Sequence, residues 1–269
     1  APGKGAALDK ATFVMNRNPE QYNPNKHKIG STASCTTGCL SMVNMLVELA
    51  KLNKDGVITP EKFAAASLAQ KRAMVAEGVS KFKFSGFMVT YHALTEEIIG
   101  PDRPTAPDKQ TRFRGASENI LPTTTGAARA IKLVDPAADM DGLAVRFPTD
   151  VGSLAVGTYI LDGTYTEADI IKGLDYLMQI VRGVAIKDVD TTGKIKLDKD
   201  LRTMMATISP DKIMVKNFIN AEGKAMSMIK LDGWYENELY YAREIADFYD
   251  FVMRPQKLPA IVTIKSDGR

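Results

Sequence analysis

The chain predicts an α+β fold with a mixed sheet, and three observations carry that expectation. Stretches with apolar residues at helical spacing are interleaved with strand-like runs. Several of those runs follow one another between Val184 and Leu231. The regular strand–helix–strand alternation of a parallel α/β domain is missing. The 269 residues suit one large domain or two small ones at roughly 150 residues each. With no internal repeat or low-complexity tract, one domain is expected. A content of 45% hydrophobic and 25% charged residues excludes a disordered chain, a collagen-like repeat and a disulfide scaffold.

Taken in order, Thr12 to Met15 reads as a short strand before a turn-rich stretch from Asn16 to Lys28. Leu40, Val43, Leu46, Val47 and Ala50 recur at helical spacing, so a helix runs from Thr37 to about Leu52, and Asn53 to Gly56 closes it. Thr59 as N-cap with Pro60 behind it opens a second helix that ends near Gly78. Phe82, Phe84, Val89 and Tyr91 mark a strand through to His92, and Pro101 to Pro107 is a loop. Gly126 to Leu133 reads as helix, stopped near Pro136. Leu143 to Phe147 and Leu154 to Leu161 read as buried strands. Thr166 caps a helix from Glu167 to about Val181, and a last helix runs from about Glu236 to Met253.

Charge and cysteine content narrow the function classes. The 35 basic and 32 acidic residues leave +3, with a pI near 8.7, which is no nucleic-acid footprint. The longest nearly apolar run, Met42 to Leu52, is broken by Asn44, Glu48 and Lys51 and falls short of the ~20 residues of a membrane span. The opening Ala1-Pro2-Gly3 has neither an initiator Met nor a signal-peptide core, so the chain is expected to start at a processed or internal point. Cys35 and Cys39, four residues apart on a helix, suit free thiols in a reducing, intracellular compartment.

Three segments carry chemistry. Ser34-Cys35-Thr36-Thr37 places a cysteine among hydroxyls where a helix begins, and the N–H groups there are expected to depress the thiol pKa. His92, one of two histidines, ends a strand and could serve a thiol as base; His27 reads as surface. Arg112 to Ala130, with Thr123-Thr124-Thr125-Gly126 opening a helix, offers arginines and free N–H groups to an anion. Taken singly, each has a plainer reading: a buried Cys in a polar turn, a half-buried His, a capped helix. Cys39 reads as a small core residue. A calcium loop at Lys51 to Lys62 is excluded by lysines at its first and twelfth positions, and no metal-ligand cluster or Walker motif occurs.

Together these motifs resemble the glyceraldehyde-3-phosphate dehydrogenase family. Ser34-Cys35-Thr36-Thr37-x-Cys39-Leu40 is similar to its cysteine motif and Thr90-x-His92-Ala93-x-Thr95 to its histidine segment. Arg114-Gly115-Ala116-Ser117-x-Asn119-Ile120 with Pro122-x-x-Thr125-Gly126-Ala127-Ala128 resembles its phosphate segment. Arg146-x-Pro148-Thr149 and Trp234-Tyr235-x-Asn237-Glu238 follow in the family's order. The resemblance implies the catalytic domain alone, residues 1–269, with the NAD-binding half expected to be absent. It implies a mixed or antiparallel sheet with helices on one face, a helical insertion at about 53–80 and an extended tail at about 254–269.

It also implies roles. Cys35 would attack an aldehyde and His92 would manage the protons. Ser34, Thr36, Thr95, Arg112, Thr125, Gly126 and Arg146 would hold the phosphates of a phosphorylated aldehyde and of inorganic phosphate. Asn237 and Tyr241 would lie at the nicotinamide of NAD or NADP. No metal and no nucleic acid is implied; a homo-oligomer or a place in a larger complex is. The departures are Gly38 where the family usually has Asn, and 57 positions between Cys35 and His92, about twice the family's spacing. Val184 to Met214 also matches poorly. Those departures keep a second reading in view, a structural or accessory subunit built from the same domain, and a third, acyl transfer without hydride transfer.

Overall fold

The computed structural model describes residues 11–93, 120–146, 148–149, 152–186, 204–254 and 263–265. Among the described residues its frame is a mixed sheet of nine strands: β1 (Phe84–His92), β2 (Leu121–Thr124), β3 (Ala138–Arg146), β4 (Ser153–Asp162), β5 (Val184–Ile186), β6 (Ala206–Ile208), β7 (Met214–Ile219), β8 (Ala225–Tyr235) and β9 (Thr263–Lys265). The order is β2-β3-β1-β4-β8-β6-β5-β9, with β7 also paired to β8. β1 runs parallel to β3, and β5 parallel to both β6 and β9; the other pairings are antiparallel. The chain is therefore α+β, as the sequence predicts.

One helix organises the core. α1 (Cys35–Lys54) is buried along nearly its whole length, because the sheet covers one side and α3 (Leu68–Val79), α4 (Ala127–Val134) and α5 (Glu167–Ile180) cover the rest. A helix enclosed this way is largely apolar on every side, which Leu40, Val43, Leu46, Leu49 and Ala50 supply, and its buried Asn44 and Glu48 are hydrogen-bonded. α5 approaches closely at Gly173, where a Cβ would come within 2.8 Å of the Leu46 carbonyl oxygen. In β1, Phe84, Met88, Thr90 and His92 point to the helical layer and are buried, whereas Phe87 and Tyr91 point away and are exposed.

Several boundaries differ from expectation. Thr12 makes only an isolated bridge to Ser31, so the expected strand at Thr12 to Met15 is not formed. The helix expected from Pro60 to Gly78 is two: α2 (Pro60–Ala65), capped by Thr59, and α3, opened by a Ser67/Gln70 capping box. That box is a sequence signal that the reading from the Thr59 cap alone passes over. β3 begins five residues before the expected Leu143, and β2 occupies residues read only as a prelude to a helix. α6 (Leu239–Met253) starts later than expected because the Glu236 carboxylate accepts the N–H groups of Glu238 and Leu239. The loop expected from Pro101 to Pro107 lies outside the described residues.

Candidate functional site

Cys35 is the first residue of α1, behind the N-cap Ser34, whose Oγ accepts the Thr37 N–H at 3.2 Å. The chain reaches that cap through a strained turn: Ala33 has φ +63°, the one positive φ outside glycine among the described residues. For an alanine this costs about 1–2 kcal/mol, so neighbouring bonds must impose it. Ser31 Oγ accepts the Ala33 N–H at 3.1 Å, and the Tyr241 hydroxyl donates to the Ala33 carbonyl at 3.1 Å while accepting from Thr32 Oγ1. Tyr241, expected beside a nicotinamide, thus holds the turn that aims Cys35.

Strand register supplies the partner. β1 ends on His92, which pairs across the parallel ladder with Arg146 at the end of β3. His92 Nε2 lies 3.9 Å from Cys35 Sγ, within reach of a sulfur hydrogen bond. His92 Nδ1 faces two groups at once, the Ala93 carbonyl at 2.8 Å and Arg146 Nη1 at 2.7 Å, and Arg146 Nη1 also donates to that carbonyl at 3.0 Å. A proton on Nδ1 suits the carbonyl and leaves Nε2 as an acceptor for the thiol. A proton on Nε2 leaves Nδ1 to accept from Arg146 and turns a donor toward the sulfur. The first tautomer satisfies the carbonyl but sets the Nδ1 proton against the Arg146 donor, and only the second satisfies Arg146, so the Arg146 side chain must give way when His92 takes the thiol proton.

Around this pair, Ser153 Oγ accepts the Ala93 N–H at 3.0 Å and donates to Asn237 Oδ1 at 2.7 Å. The Tyr235 hydroxyl bridges Thr36 Oγ1 at 2.8 Å and Thr90 Oγ1 at 2.7 Å, and its ring meets the His92 ring edge-on. Thr36, expected to hold a phosphate, therefore has its hydroxyl engaged beneath the site. Ser153 and Tyr235 had no role assigned from sequence, because their partners lie 60 to 199 residues away.

The expected depression of the Cys35 pKa is not found. Burial pushes the thiol up, and the opposing influences of the Thr36 N–H and hydroxyl, Arg146 and its own N–H do not outweigh it. The helix N-terminus is present, but a half-enclosed sulfur loses more from desolvation than it gains there. Cys39 is fully buried, with its thiol donating to the Gly233 carbonyl. His27 is half-buried rather than a plain surface residue: Nδ1 accepts the Asn23 N–H, and its ring packs edge-on against Phe13.

Thr125 Oγ1 accepts the Ala127 N–H at the start of α4, behind Gly126. β2 leads away from the site end of the sheet to reach them, pairing Leu121 with Arg146 but Thr124 with Leu143. Thr95 and Arg112, with the segment from Arg114 to Asn119, lie outside the described residues. Among the described residues no cluster of three or more His, Cys, Asp or Glu could hold a metal.

Gly38, the departure in the cysteine motif, has a local cause. A Cβ there would fall on the Tyr240 hydroxyl of α6. Gly38→Ala is expected to destabilise the fold by about 1–3 kcal/mol through overpacking. Tyr240→Phe should recover part of the loss, as measured by urea melts of the single and double variants.

The fold and site define an α+β domain that presents a cysteine–histidine pair at the entrance to a buried helix. Residues 80–237, more than half of the chain, match the family model "Glyceraldehyde 3-phosphate dehydrogenase, C-terminal domain", and the chain belongs to that family. It is 30% identical to the glyceraldehyde-3-phosphate dehydrogenase of Chlamydia pneumoniae, over 96% of this chain and 64% of that protein. It is 28% identical to glyceraldehyde-3-phosphate dehydrogenase 2 of Streptomyces avermitilis, over 92% of this chain and 62% of the relative. With the enzyme of Geobacillus stearothermophilus the identity is 26%, over 94% of this chain and 63% of the relative. The chain thus spans less than two thirds of the length of these relatives.

Proposed function

We propose that the chain is the catalytic domain of a phosphorylating aldehyde dehydrogenase acting on a phosphorylated aldehyde, a glycolytic step. Cys35 attacks the carbonyl carbon while His92 takes the thiol proton, giving a thiohemiacetal. With hydride passing to a nicotinamide coenzyme and the hydroxyl proton to His92, the thiohemiacetal would become a thioester, which inorganic phosphate would resolve to an acyl phosphate and the free thiol. The observation that carries this reading is the 3.9 Å approach of Cys35 Sγ to His92 Nε2, with Arg146 on the far side of the ring. A thiol with a raised pKa needs such a base at the moment of attack. That retained pair also favours the enzyme over an accessory subunit.

A nicotinamide coenzyme, NAD or NADP, would supply the hydride acceptor. Asn237 suits its carboxamide: Ser153 holds the Asn237 oxygen, so the amide N–H groups are the end able to donate. Tyr241 would then serve through its ring, its hydroxyl being engaged. Ser34, Thr36, Thr95, Arg112, Thr125, Gly126 and Arg146 remain the proposed phosphate set, with Arg146 in contact with His92 and Thr36 left to act through its backbone N–H, its hydroxyl being engaged by Tyr235. A second copy of the chain is the proposed partner, since Phe87, Tyr91, Met228 and Phe218 are exposed on the sheet face opposite the helices. The free thiols of Cys35 and Cys39 suit a reducing compartment. No helix among the described residues is long and apolar enough to cross a membrane.

The reverse half-reaction tests the core of this reading without any coenzyme. An acyl phosphate mixed with the protein should transfer its acyl group to Cys35 and release inorganic phosphate, the S–C bond forming as the C–O bond to phosphorus breaks. Mass spectrometry should find one acyl adduct on Cys35 that Cys35→Ala abolishes and His92→Ala slows by about 10²-fold or more. No adduct, or one on another residue, would refute the proposal.

A further inference from the structure

We propose that a cleft between α3 and the turn-rich segment at residues 16–21 is a second binding site, and that it takes a small monocarboxylic acid with an apolar body. The cleft has a volume of about 140 Å³, and α3, part of the lengthened Cys35–His92 interval, forms one wall. Met45, Val75, Val79, Val134 and Ile180 make an apolar floor. A cavity near 150 Å³ takes a benzene-sized body, so the ligand has about six to nine heavy atoms.

Charge decides its class. Two arginines reach the cleft. Arg17 is already cancelled by Glu48 and Asp135. Arg72 is different: its Nε and Nη2 both donate to the Ile180 carbonyl, at 3.0 and 2.9 Å, and no carboxylate pairs with it among the described residues. Those two bonds fix the guanidinium in the cleft wall, and its remaining N–H groups have no hydrogen-bond partner among the described residues. Burial pulls Arg72 below the usual arginine range, and the pull of Glu20 does not offset it, so an entering carboxylate would give the guanidinium the direct ion pair it lacks among the described residues. One available cation, apolar walls and Glu20 at the rim disfavour a dianion such as phosphate. Asn16, which also lines the cleft, is spent on the Arg182 backbone through both its amide atoms.

The test titrates the full chain with benzoate and follows the Met45 methyl resonance by NMR. A saturable Met45 shift is expected, with benzyl alcohol at least about tenfold weaker for want of the charge. Arg72→Gln should weaken benzoate by a similar factor. Ala76→Trp, at the exposed rim, should block binding without touching the floor, and it keeps the test decisive should Arg72→Gln fail to fold. The proposal is overturned by no saturable shift, by benzyl alcohol binding as tightly as benzoate, or by inorganic phosphate displacing benzoate. None of these readouts depends on the reaction at Cys35.

Discussion

Arg17→Met should cost about 3–5 kcal/mol of stability, the largest single loss expected in this fold. Arg17 comes from the turn-rich segment before α1, and its guanidinium reaches two fully buried carboxylates, Glu48 of α1 and Asp135 after α4, the latter at 2.7 Å. Asn44 donates to Asp135 Oδ2 at 3.0 Å and accepts from the Tyr159 hydroxyl at 2.9 Å. Removing the guanidinium leaves two carboxyl groups facing each other in the core with no cation to balance the charge they carry.

Even intact, the cluster has one cation for two anions. Burial pushes the Glu48 carboxyl up to about 8 against the pull of Arg17, and Asp135 adds to the push. The native state then holds a proton that the unfolded chain releases near pH 4.3. A group raised in this way contributes stability that is fully present below the unfolded value and is lost as pH rises through the folded one. Glu48→Gln should therefore be least damaging on the alkaline side of about 8, where it replaces a carboxylate the core disfavours. Arg17→Met should be destabilising throughout and worst there. Urea melts of both variants above and below that pH separate the cases. Equal losses from the two at every pH would mean that Glu48 is a plain partner of Arg17 with no proton to hold.

How much of this was legible depends on how local each cause is. The apolar spacing of α1, the Thr59 and Thr166 caps, and the order of the cysteine and histidine motifs are written in short windows, and the structure carries them. Ser67-x-x-Gln70 is equally local, but it lies only eight residues beyond the Thr59 cap, between helical stretches with no Gly or Pro to separate them. Other features come from distant register. His92 meets Arg146 because two strands 54 residues apart pair in parallel. The Arg17–Glu48–Asp135 cluster joins three segments, and in the sequence Glu48 is only an interruption in an apolar run. The direction of the Cys35 shift belongs to the same class: the helix start that should lower it is local, whereas the burial that raises it is not.

That last reversal leads to the second large effect. With its thiol pushed up by burial, Cys35 carries little thiolate at neutral pH, so its reactivity should depend on His92 taking the proton during attack. His92→Ala should slow alkylation of Cys35 by iodoacetamide near neutral pH by about 10²-fold or more. The rate should then climb only as the solution itself ionises the thiol, giving a simple rise at alkaline pH. Arg146→Gln should fall between wild type and His92→Ala, because it removes one influence that lowers the thiol pKa and one of the two groups at Nδ1. Cys35→Ser supplies the blank that isolates the Cys35 signal from Cys39. Should the His92→Ala profile superpose on the wild type, with circular dichroism unchanged, the 3.9 Å contact would be a packing neighbour and the thiol would draw its reactivity from the helix start alone. The two accounts predict opposite things at neutral pH: a thiol served by a base loses its reactivity with the base, and one served by the backbone keeps it.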